Sequence, residues 1–530
     1  MSAVWYWLFL VVYFIAILWI GITVYRRQRA LESATEEHDD YWIRGRKTSA
    51  LLVGMSIAAG WLLLGFITWG IYNTYMYGLG GIWAMAVPWF LLLFCMVILV
   101  PWVRRIKAIS QPQMLQARFG LALRVLVSPF NIFCFIIWSA AEVWSVSQYI
   151  SPKFGVEPWV MYIVFSAPIA IYMWMGGFHA VLNSNVLQFF MSISFVTIVL
   201  IVMAVLAADR LPEGQSLWGY LSDITPPGVE GKSATSLLTL GVPFIFVSII
   251  ALLPGWVIEE DWWLKAQSGV STKAARAGIW ANLVYNVIWV LGASSVIGLL
   301  ALVVYPPADF DKVLGGDGYA IMPTFLSSEF PDWALVIMFG LLAALSMSTV
   351  ATFTNVCALN LSYDVLQPLV YRRRGWSDAR IVLFSRFASL LMVALGVVVA
   401  FLIDALPQGL WDAYYLSSGV LSAGVAVPVL SMFWKRTTFA GAFAGSAVGG
   451  VGAFVLYFVE KYALEYSYWP QGLADTYLGY AVWGVGLGVI TLIVVSLLTP
   501  KPPQEKLDAI AAHPVDDHEE FFAGVRSTGG

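Results

Sequence analysis

Three stretches of this chain, Trp5–Val24, Ile82–Val100 and Val186–Ala208, each run for about 20 residues without a charged side chain. Coiled as a helix at 1.5 Å per residue, such a run covers the ~30 Å of a bilayer's hydrocarbon, where the backbone must pair with itself. The alternating ten-residue strands of a membrane barrel are absent, so the spans are expected to be helices. Composition agrees. The chain is 60% hydrophobic and 12% charged, against about 25% charged in a soluble domain. A net charge of −3 argues against nucleic acid as a partner. The first apolar run lacks a basic leader and a small-residue cleavage site, and reads as a span rather than a signal peptide.

Thirteen helices are expected, at roughly 4–25, 48–74, 81–103, 122–149, 157–175, 184–208, 237–258, 277–304, 332–366, 380–403, 408–433, 437–460 and 475–499. Placing the N-terminus outside puts 24 of the 29 basic residues on the cytoplasmic face. Only Lys153, Arg210, Lys232, Lys312 and Lys461 fall on the other. Basic loops stay inside, so the expectation is a multi-pass protein of the plasma or inner membrane, with a cytoplasmic C-terminus. The three cysteines, Cys95, Cys134 and Cys357, sit in apolar segments with no paired spacing and read as packing residues.

Two spans carry the marks of a broken helix. The second reads Val53-Gly-Met-Ser-Ile-Ala-Ala-Gly-Trp-Leu-Leu-Leu-Gly65, crowded with small residues. Five spans later, 237–258 contains Pro243 and the pair Pro254-Gly255, and proline deletes a helix hydrogen bond. Interrupted helices at matching places in two halves point to an inverted-repeat transporter with a midplane site. Ordinary membrane helices also hold glycine and proline, so this pattern alone leaves both readings open. The ninth span is the most polar. Ser348, Thr352 and Asn355 share one of its faces, which must look at protein, water or an ion. Plain helix-to-helix bonding is the competing reading.

Four motifs resemble the sodium:solute symporter family, over residues 40 to 460. Ser56-Ile-Ala-Ala-Gly-Trp-Leu-Leu-Leu-Gly65 with Tyr77-Gly-Leu is similar to its first core helix. Met173-Trp-Met-Gly-Gly-Phe-His-Ala-Val-Leu-Asn-Ser-Asn-Val-Leu-Gln188 resembles its GG turn. Ala344-Leu-Ser-Met-Ser-Thr349 leading to Tyr363-Asp364-Val365 resembles its eighth core helix, and Phe433-Trp-Lys-Arg-Thr-Thr438 the motif after its tenth. The resemblance implies an all-α membrane fold, a five-plus-five inverted repeat with broken core helices 1 and 6. Its expected divisions are 1–47 (extra N-terminal helix and cytoplasmic loop), 48–208 (first repeat, core helices 1–5) and 209–236 (extracellular loop). Residues 237–434 then form the second repeat (core helices 6–10), 435–499 two peripheral helices and 500–530 a cytoplasmic tail.

The resemblance also implies a function. A small organic solute is imported with sodium by alternating access, with no cofactor beyond Na+ as coupling ion. Sodium is expected on the carbonyls of Met55, Ala58 and Leu345 and the hydroxyls of Ser348 and Thr349. The solute is expected against Ser56, Ala59, Gly60, Trp61, Trp138, Glu142 and Tyr414, with Trp144 nearby. Two positions depart from the family. Many relatives carry an aspartate where Ile57 stands, and the aspartate of the GG turn is Asn185. A proton-coupled or uncoupled carrier, or a solute sensor on the same fold, is therefore the alternative.

Glu142 lies deep in an apolar span, where an ionisable group is a functional candidate. It is read either as an amine-binding group beside Trp138 and Trp144 or as a structural acid. Glu259, Glu260 and Asp261 read as solvated or paired with Lys265, and Asp404, Asp412 and Glu460 as outer helix ends. A membrane enzyme needs a nucleophile–base or metal constellation, and none is visible. The bilayer, the solute and Na+ are the expected partners, and the functional unit is expected to be a monomer.

Overall fold

The computed structural model describes residues 3–31, 42, 46–105, 108–403, 405–406, 409–464 and 478–511. The expected tail beyond 511 and Asp404 lie outside the described residues. Among the described residues there is no strand, only an isolated bridge between Thr48 and Gly269. Twelve helices there are long and apolar enough to cross a membrane. The first, α1 (Ala3–Leu31), turns Val4, Leu8, Val12, Ile15 and Trp19 outward and buries Tyr6, Leu10 and Ile17, the two faces that a 3.6-residue period creates.

The expected second span is a single crossing in two pieces. α2 (Ala50–Trp61) opens on Ser49, whose hydroxyl accepts the Leu52 N–H. It ends at Leu62 (φ −87°, ψ 73°); Leu63 is extended, and α3 (Leu64–Tyr77) resumes the helix. After a tight turn at Gly78–Ala84, α4 (Ala86–Arg105) runs back along it. Gly70 faces Met85, while Phe66 and Trp61 both meet Trp89 at ring distances of 4.6 and 5.0 Å. The 41-residue apolar stretch Leu64–Arg104 therefore reverses once and holds two crossings, which recovers the thirteen expected. α5 (Leu121–Phe154) follows. α6 (Pro158–Arg210) is divided at Gly177 (φ 48°, ψ −140°), a conformation that glycine alone adopts at little cost.

The second broken helix differs from expectation in where it breaks. α7 (Gly241–Val257) passes through Pro254 unbroken. Its loosened turn is bridged by the Ser422 hydroxyl, which accepts the Gly255 N–H (2.9 Å) and donates to the Ala251 carbonyl (2.7 Å). An intact helix would join those two groups directly. The chain leaves the helix only at Ile258 and Glu259, and α8 (Glu260–Ser268) follows. Every residue from Glu259 to Ser268 is buried, so the solvated reading fails for all three acids. Asp261 pairs with Lys265 as expected (2.9 Å). Glu260 instead accepts from Asn131 and Asn360, and neither Glu259 carboxylate oxygen has a hydrogen-bond partner among the described residues.

The two halves then exchange partners. α2–α3 lies alongside α9 (Thr272–Tyr285) and α10 (Ala293–Val304), pointing the same way: Gly54 meets Gly278, Gly70 meets Ser294, and Thr74 meets Gly298. α7–α8 lies alongside α4 in the same manner. Ser248 donates to the Trp83 carbonyl (3.1 Å) and Gln267 to that of Val103 (2.7 Å). Each broken helix is held by the second helix of the opposite half, as an inverted repeat requires. α11 (Asp332–Leu359), α12 (Asp378–Ile403) and α13 (Leu410–Leu421) complete the second half. α14 (Phe439–Phe458) and α15 (Gly479–Leu498) pack on its flank, glycine against glycine at Gly445 and Gly488.

Both ends of the core are closed. At one end Tyr72 stacks on Tyr319 (4.2 Å) and Tyr75 donates to the Tyr305 carbonyl (2.9 Å). At the basic end Arg124 pairs with Asp364 (2.8 Å), and Asn131 and Asn360 both donate to Glu260 (2.8 and 2.6 Å). Asp412, expected at an outer helix end, is buried and paired with Lys461; the buried Glu460 accepts the Tyr480 N–H (2.8 Å).

Candidate ion and solute site

The break after Trp61 frees two carbonyls. In a continuous helix the Ala59 and Gly60 oxygens would accept the N–H groups of Leu63 and Leu64. Leu63 is extended, and the Leu64 N–H donates elsewhere, to Glu142 Oε2 (2.8 Å). Across the gap, α11 answers both. Ser348 Oγ lies 2.8 Å from the Ala59 carbonyl and 2.7 Å from that of Leu345; Thr349 Oγ1 lies 3.1 Å from that of Gly60. Three carbonyls and two hydroxyls thus converge, all buried. Neutral hard oxygens of this kind suit a small hard cation. To serve as ligands, both hydroxyls would have to turn their hydrogens away from these carbonyls and present a lone pair.

Of the residues expected around the ion, Leu345, Ser348 and Thr349 lie together here; the α2 carbonyls that face the two hydroxyls are those of Ala59 and Gly60, and those of Met55 and Ala58 do not meet them. The reason is the helix itself. Ala58 still accepts the Leu62 N–H (3.1 Å), and Met55 lies a turn earlier, inside intact α2.

Glu142 is a cap. Besides Leu64, its other oxygen accepts the Gly65 N–H (2.8 Å), so one carboxylate satisfies the first two amides of α3. A helix N-terminus carries partial positive charge, which favours this placement. Ser346 Oγ adds contacts at 3.0 Å to the Glu142 carbonyl and 3.3 Å to Oε2. Trp144, two residues on and half-buried, lies toward the opposite side of α5.

Beside the break the aromatic side chains form a box. Phe66, Trp89 and Trp256 are mutually in contact at 4.6–5.7 Å, and Trp61 joins them through Trp89 (5.0 Å). Tyr414 meets Phe66 edge-on (5.7 Å) and stacks on Trp69 (5.3 Å). Trp138, on α5, packs instead against Phe135 and Phe353, its Nε1 donating to Ser417 (2.8 Å). Trp69 Nε1 and Ser145 Oγ are buried without a protein partner among the described residues, whereas buried polar groups are normally paired; Trp61 reaches toward Asp261 and the Tyr414 hydroxyl toward Glu142. Ser56 faces away from the box; its hydroxyl accepts from Asn185 Nδ2 (2.9 Å). Thr352, from the expected polar stripe, takes a longer contact from the same nitrogen (3.4 Å). Ile57 is packed in the apolar core.

The sequence pattern that defines the Sodium:solute symporter family matches residues 41–449. The chain belongs to the sodium:solute symporter family. The sodium/proline symporter of Haemophilus influenzae is 24% identical over 516 residues, covering 94% of this chain and 95% of its own. The sodium/pantothenate symporter of Escherichia coli is 22% identical over 452 residues, covering 83% and 88%. In fold, the chain matches a substrate-bound, outward-open Na+-coupled sialic acid symporter with a TM-score of 0.71. That match is at 17% identity and covers 94% of this chain and 98% of that one. This family member is a multi-pass membrane transporter, not an enzyme, and couples a small solute to sodium.

Sequence reading missed Phe66, Trp69, Trp89 and Trp256, because tryptophans in a membrane chain read first as interfacial or lipid-facing. Lys265 was expected only as a partner of the nearby acids at the membrane edge; its place beside the break, on the Ser56 carbonyl, was not read, although Asp261 and Lys265 form an i,i+4 pair directly after a proline-bearing span.

Proposed function

We propose that sodium binds between the Ala59, Gly60 and Leu345 carbonyls and the Ser348 and Thr349 hydroxyls, and that its binding prepares the adjacent aromatic box for the solute. The observation that carries this reading is the pair of carbonyls released by the break and met by two hydroxyls of α11. An ion there ties α2 to α11, so binding favours one arrangement of the two halves over the other. Sodium and solute then tighten each other by the same factor. Each positive charge moved inward at 100 mV contributes about 2.3 kcal/mol to accumulation. The basic end of the bundle faces the cytoplasm, with the N-terminus outside, in keeping with the distribution of Lys and Arg. One chain holds the whole site and acts as a monomer.

The Glu142 cap bears on the solute. A half-helix N-terminus is where an anionic substrate group would otherwise sit, and here the protein's own carboxylate fills that place. The solute is therefore neutral or cationic where it meets α3, and is held by the aromatic faces. The test is thermal stability of the purified protein in sodium against potassium at equal ionic strength, across neutral, cationic and anionic solutes. A sodium-specific rise, enlarged by a neutral or cationic solute, is expected. A rise enlarged only by carboxylates defeats the solute reading, and no sodium effect defeats the ion site.

A further inference from the structure

One helical turn from the five oxygens, toward the start of α2, a second polar position lies between the same helices. Its centre holds a side chain. Lys265, fully buried on α8, donates to the Ser56 carbonyl (3.0 Å) and to Asp261 Oδ2 (2.9 Å). A Cβ on Gly60 would lie 2.8 Å from Lys265 Nζ and 3.0 Å from Thr352 Oγ1, so ammonium and hydroxyl both lie against that glycine. Asn185 closes the group from α6, donating to the Ser56 carbonyl (3.3 Å), while its Oδ1 is buried without a partner. Asp261 and Glu259 are the acids that face the lysine, and both belong to its own segment. From α4, Arg104 donates to the Gln267 carbonyl beyond it (2.7 Å). α2 brings Ser56 to the group, α6 brings Asn185 and α11 brings Thr352.

We infer that the Lys265 ammonium is a tethered cation occupying a second, oxygen-lined position beside the sodium site, and that it limits the carrier to one sodium per chain. The inference rests on the sodium position proposed above. A carbonyl, a hydroxyl and a carboxylate around a positive charge are the surroundings that a free alkali cation would need there. The tethered ammonium supplies that charge from the protein itself, so no second ion is admitted while it is there. It also stands on the side toward the basic face, where it repels a departing sodium from lingering.

The test counts radiolabelled sodium bound to the purified full-length chain at saturation. The wild type is expected to bind one equivalent, and two would overturn the inference. Lys265→Gln with Asn185→Asp leaves Asp261 and a new carboxylate beside the vacated position, and is expected to bind two. A folded double variant that still binds one also overturns it. Lys265→Gln with Asp261→Asn removes the pair without adding an anion and is expected to stay at one, controlling for folding. Ser348→Ala with Thr349→Ala separates the two ideas. Sodium retained in that variant sinks the sodium site itself, whereas sodium lost there with two equivalents in the wild type sinks only the role of Lys265.

Discussion

The two broken helices hold pseudo-equivalent places, yet they are broken by different means. At Leu62–Leu63 the break is kept open from outside by a carboxylate that captures the Leu64 and Gly65 amides. What it exposes is a pair of neutral carbonyls. At Ile258–Glu259 the break leads straight into a buried charged helix, with Glu260 held by Asn131 and Asn360, and Lys265 by Asp261. One break presents neutral carbonyls met by hydroxyls; the other presents charged side chains, Asp261 and Lys265 among them already paired. The comparison teaches that a symmetric fold can divide its labour, one half-helix receiving the transported species and the other furnishing the fixed charges around it.

The sharpest way to break this comparison is to remove the cap. Glu142→Ala leaves two buried amides without an acceptor, and at ~1–3 kcal/mol each a loss of about 4 kcal/mol is expected in detergent melting curves. Glu142→Gln keeps an acceptor and should lose roughly half as much. Next comes Ser348→Ala with Thr349→Ala. Loss of two ligands at about 1.5 kcal/mol each should raise the sodium needed for half-maximal stabilisation by more than ~100-fold, with expression unchanged. Gly60→Ala brings a methyl against Lys265 and Thr352. Overpacking of this kind costs ~1–3 kcal/mol, and we expect the sodium-dependent shift in melting to shrink accordingly. Smallest is Ser422→Ala, which removes the bridge in α7 for about 1 kcal/mol. If the division of labour holds, sodium affinity there stays at the wild-type value; a matching loss of sodium affinity would show that the two breaks act as one.

Much of this architecture was legible because membranes impose simple rules. Charge-free runs gave the helices, and the adjacent hydroxyls Ser348 and Thr349 were visible in the most polar span. The exact carbonyls were not, because which oxygens go free depends on where Glu142, more than 70 residues away in sequence, catches the chain. Pro254 misled in the opposite sense: its damage is repaired by a hydroxyl from another helix. The run Glu259-Glu260-Asp261 reads in sequence as solvated or paired with Lys265. The partners of Glu260, Asn131 and Asn360, come from other helices, as does the Ser56 carbonyl that meets Lys265, and no local pattern announces them.

The repair at Ser422 has a mechanical consequence. The rung between Ala251 and Gly255 is made of a side chain belonging to the segment that continues α13, so α7 does not own its hinge. A displacement of that neighbouring helix would therefore pull on this turn of α7 from outside, through the two hydrogen bonds of Ser422. The tenth core helix is thus placed to act as a handle on the sixth, carrying movement at the flank of the bundle into the wall of the aromatic box through Trp256, one residue beyond the rung.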